Sequence, residues 1–244
     1  MPGADDLAAL ARSSSWRWAT LRFTVSWPRD PWQTTPVRAW LRRPDRLRVE
    51  TLDGDLLQVV HEPRSTGAGT TEDVPRPSLR PDGLVAERPR GPSYDDPMYQ
   101  DYAWVAMLDP AELADGTARD DDALPGPPLV VGSVAEVRHA GRPAWEAVVV
   151  PTTAYEPRCG CCPLLRSRHI DLLEYRDDPE RLLAVYPETF RVRLDVGTGV
   201  CVLTEELDGR RPGHGHDLRI EAVDDPMDDA LFTTRRSWLR GAPS

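Results

Sequence analysis

The chain has 244 residues, 40% of them hydrophobic and 29% charged, with a formal net charge of -10. That length and apolar content suffice for a sizeable core and exclude a wholly disordered chain. The acidic balance repels nucleic-acid phosphates and anionic membrane surfaces, so no nucleic-acid partner is expected.

All 30 basic residues are arginine, as a strongly GC-biased genome would give. The cluster Arg38, Arg42, Arg43, Arg46 and Arg48 therefore reads as the solvated side of strands and not as an anion site. The N-terminus, MPGADDLAALARSSSWRW, places acids where a secretory signal carries basic residues. No run of eighteen apolar residues could span a bilayer. A cytoplasmic protein that does not cross a membrane is expected.

Asp5 to Arg12 reads as a short helix with Leu7, Leu10 and Ala11 on one face. From Trp16 the period becomes two, with Leu21, Phe23, Val25 and Trp27 alternating with polar residues until Pro28 and Pro31. VRAWLRR and RLRVETL follow across a Pro44-Asp45 turn, and Asp53-Gly54 leads into DLLQVVHE, so four antiparallel strands form a meander. Residues 62–97 hold seven of the chain's 25 prolines and no period. They read as a loosely packed or disordered insertion in preference to a working lid.

Met98 to Leu113 fits an aromatic-rich helix with Tyr99, Tyr102, Trp104, Val105, Met107 and Leu108, ending near Asp109-Pro110 and able to restart there. It is placed to pack across the sheet. Residues 114–128 form an acidic, proline-rich loop whose Asp120, Asp121 and Asp122 read as solvated. Strands then resume as VVGSVAEVRH and PAWEAVVV, joined at Ala140-Gly141-Arg142, and continue as HIDLLEY, TFRVRLDV, GVCVLTEEL and DLRIEAV. The tail DDPMDDALF reads as one helical turn with Leu231 and Phe232 tucked back. The expected fold is α+β, a single domain over 1–244 built on an antiparallel sheet with one dry and one charged face.

Two stretches resemble the LolA and RseB family. One is the meander AWLRRPDRLRVETLDGDLLQVVHE; the other is FRVRLDVGTGVCVLTEELDG followed by DLRIEAVDDPMDDALF. The resemblance implies a curved half-barrel with helices on its concave face, acting without catalysis on acyl chains, other lipid-like ligands or a protein partner. An apolar concavity would be lined from Leu21, Phe23, Val37, Leu47, Val49, Phe190, Val192 and Leu194, with Tyr102 and Trp104 on the roof. The alternative is that these residues simply touch the covering helices. The insertion at 62–97 and the cysteine loop have no counterpart in that family.

RCGCCPLLRSRH holds Cys159, Cys161 and Cys162, and Cys201 lies mid-strand. Four thiolates could hold a soft metal such as zinc, with His169 as a substitute ligand. Against that, C-x-C-C is not a zinc knuckle, and adjacent cysteines start out pointing apart. A disulfide from Cys201 to the loop would contribute about 3–4 kcal/mol in the chain-entropy model, but a reducing compartment opposes it. Arg158, Arg166 and Arg168 could lower a thiol pKa for redox or nucleophilic work. The plainest reading is a buried Cys201 and three unpaired loop thiols. GHGH, with His214 and His216, reads as a flexible connection. The sequence shows no G-x-S-x-G, P-loop, G-x-G-x-x-G or H-E-x-x-H, so a conventional enzyme is not expected. The two functional expectations are an apolar-ligand binding protein and a metal- or redox-responsive protein using the CGCC loop.

Overall fold

In the computed structural model, which describes residues 1–31, 33–61, 76–89, 96–116 and 126–234, the period-two segments join one antiparallel sheet of 10 strands. The first four are β1 (Thr20–Ser26), β2 (Val37–Arg42), β3 (Arg46–Thr51) and β4 (Leu56–His61). The second half supplies β7 (Leu129–Val131), β8 (Ala135–His139), β9 (Arg142–Pro151), β10 (Phe190–Asp195), β11 (Cys201–Glu206) and β12 (Gly215–Val223). Their order is β4-β3-β2-β1-β12-β11-β10-β9-β7, with β8 also on β9. The sheet ends at β4 and β7 without closing, as a half-barrel requires. Chain-distant β1 and β12 pair at its centre, Phe23 opposite Ile220 and Val25 opposite Leu218.

Alternation decides which face is dry. Leu21, Phe23, Val37, Ala39, Leu41, Leu47, Val49, Val192, Leu194 and Leu218 are at most 2% exposed. Burying each of these side chains larger than Ala39 contributes about 1.5–3 kcal/mol against full exposure. Helix α1 (Ala4–Ser13) turns Leu7, Leu10 and Ala11 onto this face, and α2 (Tyr102–Leu108) adds Trp104, Met107 and Leu108. The turn at Gly199 lies under α1, where φ is +77° and an added Cβ would sit 2.7 Å from the Leu10 carbonyl oxygen; only glycine fits there.

The opposite face carries charge in pairs. Arg193 meets Glu146 at 2.6 Å, and Arg22 and Arg38 share Glu221 at 3.1 and 3.2 Å. The arginine cluster is engaged in the same way: Arg42 with Asp229, Arg43 with Asp96, Arg46 with Asp45 and Arg48 with Glu50. The tail turn Asp229–Phe232 buries Phe232 here, under the Arg42 guanidinium.

Three local expectations are corrected. HIDLLEY is not a strand but helix α3 (Arg168–Glu174): Ser167 caps it by accepting from the Ile170 amide, and Asp171 points inward to Arg166 instead of alternating outward. VVGSVAEVRH breaks at Gly132 into β7 and β8. Within 62–97, β5 (Ser78–Leu79) and β6 (Val85–Glu87) form a hairpin docked on α1, with Leu84 and Val85 buried and the Val85 amide donating to Ser13 Oγ at 2.9 Å. This part of the insertion is packed. Residues 62–75 and 90–95 of the insertion, and 117–125 of the acidic loop with Asp120, Asp121 and Asp122, lie outside the described residues.

Candidate functional site

Asp101 starts α2 by accepting from the Ala103 amide at 3.0 Å, which aims Trp104 at the sheet. Its ring centroid lies 5.3 Å from that of Phe23 and 5.3 Å from that of Tyr99. Beside this aromatic group a cavity of about 570 Å³ opens between α2, the cysteine loop and the ends of β10 to β12. Its apolar wall is Trp27, Tyr99, Trp104, Met107, Leu164 and Phe190; its polar side is Asp101, Arg166, Glu206, Arg210, Arg211, His214 and His216. That volume falls within the range of small-molecule sites.

Of the ten residues expected to line an apolar concavity, Trp104 and Phe190 lie on the cavity wall. Leu21, Phe23, Val37, Leu47, Val49, Val192 and Leu194 are buried in the core cluster beneath the helices. Tyr102 is 40% exposed on the outer side of α2. The concavity is thus filled along most of its length and open at one end.

A buried glutamate builds the rim. Glu112, in the short helical turn Ala111–Leu113 after α2, is 1% exposed. Its Oε1 accepts from Tyr155 Oη at 2.5 Å and from the Leu164 amide at 3.1 Å, and its Oε2 accepts from the Arg158 amide at 3.1 Å. Tyr155 Oη in turn accepts from the Leu165 amide at 3.2 Å. These bonds tie both ends of the cysteine loop to one carboxyl, which burial pushes up in pKa despite the three donors. Nothing in AEL distinguished Glu112 from an exposed helical glutamate, and sequence reasoning missed it.

The loop brings its three thiols together. Cys159 Sγ lies 2.9 Å from Cys161 Sγ, which lies 3.6 Å from Cys162 Sγ, and all three fall within 4.8 Å of one another. The divergence expected of adjacent cysteines is overcome by the turn through Gly160, against which the Glu174 carboxylate of α3 packs. Cys201 is not part of the group. It is fully buried on β11 with its thiol toward the Leu203 carbonyl. Among the described residues His169 does not join the group either.

Two of the three arginines that could lower a thiol pKa are engaged elsewhere. The Arg158 and Arg166 side chains are held by Asp109 and Asp171, at 3.1 and 2.6 Å. The thiol pKa values move upward: Cys161 through its hydrogen bond with Cys159 and then burial, Cys162 through burial and then the Asp101 carboxylate, and Cys201 through burial. Thiols kept protonated are poor nucleophiles.

GHGH is not a flexible connection. His214 sits between Glu206 (3.0 Å) and Asp30 (3.2 Å). His216 is buried, its Nε2 donating to the Cys201 carbonyl at 2.7 Å while its Nδ1 lies 3.0 Å from Thr204 Oγ1, and burial lowers its pKa to about 4.

No protein-family model matches this chain and no curated protein matches it. Among solved structures the chain is similar to one described as the crystal structure of MucB, with 18% sequence identity and a TM-score of 0.44, covering 95% of this chain and 63% of that one. The chain spans less than two thirds of that structure's length, and a likeness at this level transfers no residue role.

Proposed function

We propose that this is a non-catalytic binding protein that takes an apolar, acyl- or lipid-like ligand, or an apolar segment of a partner protein, into the open end of its half-barrel. The observation that carries this reading is the cavity of about 570 Å³ with Trp104 and Phe190 on its wall. A ligand there would place its apolar body against these rings and its polar end toward Arg210 and Arg211. The half-barrel with helices on its dry face is also the architecture implied by the LolA and RseB resemblance.

The two histidines on the cavity are held in place by the fold. Both ring nitrogens of His216 are committed to the fold, and those of His214 are flanked by two carboxylates.

Ala103, half-buried on the cavity side of α2, offers the test. The purified full chain is titrated with a fluorescent fatty acid and its mass is measured under native conditions. Saturable binding at one site is expected, and Ala103→Trp should abolish it while leaving the circular dichroism spectrum unchanged. No binding by the parent, or equal binding by a folded A103W, would refute the reading.

A further inference from the structure

We infer that Cys159, Cys161 and Cys162 form a three-thiolate site for one soft d¹⁰ cation, Cu(I) or Zn(II), at the mouth of the cavity. The site rests on the positions of the three sulfurs and is independent of what the cavity holds. Metal–thiolate bonds of about 2.3 Å around one ion put neighbouring sulfurs about 3.8 Å apart. The sulfurs here stand 2.9 and 3.6 Å apart for two of the pairs and within 4.8 Å for all three. Two pairs stand closer than that spacing and the third lies within 4.8 Å, so an ion would bind all three by side-chain rotations that spread the sulfurs slightly.

The loop backbone is already in place. Glu112 fixes the amides of Arg158 and Leu164 on either side of the three cysteines, and Pro163 follows Cys162 directly. Little ordering entropy remains to be lost on binding. Local charge has the right sign. Arg158 and Arg166 are turned to Asp109 and Asp171, while Glu174 packs on Gly160 between the thiols. A cation entering this setting meets carboxylates, whereas a reactive thiolate would want the arginines.

Soft thiolate ligands select Cu(I) and Zn over hard cations. Three sulfurs complete a trigonal Cu(I) site. Zn(II) would take a water as fourth ligand on the cavity side, where Cys161 and Cys162 line the wall. Each thiol gives its proton to solvent as its sulfur bonds the ion, and no oxidant or reductant is consumed.

The reduced full chain, handled anaerobically, is titrated with Cu(I) in one arm and Zn(II) in the other, each against a chromophoric chelator. Retention of one equivalent of either ion is expected, with sulfur as the scatterer in X-ray absorption. Cys161→Ser should weaken that binding by more than about tenfold, a loss already reached when a mere supporting group is removed. Cys201→Ala should leave it unchanged, and thermal unfolding confirms that both variants are folded. The inference is overturned if neither ion is retained, if C161S binds as well as the parent, or if C201A loses the ion as completely as C161S does.

Discussion

Removing the Glu112 carboxyl should be among the most damaging single changes outside the sheet. Truncation to alanine leaves Tyr155 Oη and the amides of Arg158 and Leu164 without their acceptor in a site the side chain itself keeps dry. An orphaned buried donor costs about 1–3 kcal/mol, so with three of them Glu112→Ala should lose about 3–9 kcal/mol in all. That is a large part of the 5–15 kcal/mol typical of a domain. Glu112→Gln keeps one acceptor oxygen but sets an NH₂ against an amide donor, and should lose about 1–3 kcal/mol. Urea unfolding at pH 7 measures both. Hydrogen exchange should show the loss of protection concentrated at residues 158–165. The sign of the pH dependence follows from burial having raised this carboxyl's pKa. Such a group contributes stability that is full below its unfolded pKa and is lost as pH rises through the folded one. The gap between parent and E112Q should therefore be widest in acid and narrow with rising pH. A Glu112→Ala protein within 1 kcal/mol of the parent, or protection lost evenly over the sheet, would refute the idea that this carboxyl organises the cysteine loop.

Two further outcomes follow from buried charge. Asp96 is 1% exposed and binds Arg43 through both oxygens at 2.7 Å, and that guanidinium also lies 3.3 Å from the Trp18 ring centroid. Asp96→Ala strands the arginine and should cost about 3–5 kcal/mol in urea unfolding; a loss below 1 kcal/mol would show the pair to be solvated. His216, neutral in the fold with its pKa lowered from 6.5 to about 4, contributes stability that is full above pH 6.5 and is lost as pH falls toward 4. The change is about 3 kcal/mol. His216→Gln should flatten that limb of the stability–pH curve, and a curve as steep as the parent's would assign the acid loss to other groups.

The strands were legible because each carries its own evidence. TFRVRLDV alternates without exception, so β10 and its dry side could be read from eight residues. Asp53-Gly54 and Ala140-Gly141 marked two of the turns, where Gly54, Ala140 and Gly141 all have positive φ. Helix α3 was hidden because HIDLLEY is short, and for so few residues the helical and strand periods compete on equal terms. The decisive signal was Ser167, a cap residue lying just before the apolar run. The hairpin inside 62–97 was missed because two strands of two and three residues have no period to detect.

The open end of the half-barrel has a physical reason that also explains why the cavity could not be placed from apolar residues. Where inward positions on β1, β2 and β3 are Leu, Phe, Val and Ala, helix side chains pack down and fill the space. On β11 and β12 the inward row changes to Thr204, Glu206 and His216. An apolar helix face laid over these groups would have to satisfy each of them or desolvate it without a partner. His216 and Thr204 satisfy one another, and Glu206 reaches outward to His214. α2 passes to one side, with Trp104 and Phe190 as the last rings before the gap. The cavity is thus set by three polar residues that interrupt the dry stripe, and its apolar wall is what the packed core leaves exposed at that boundary.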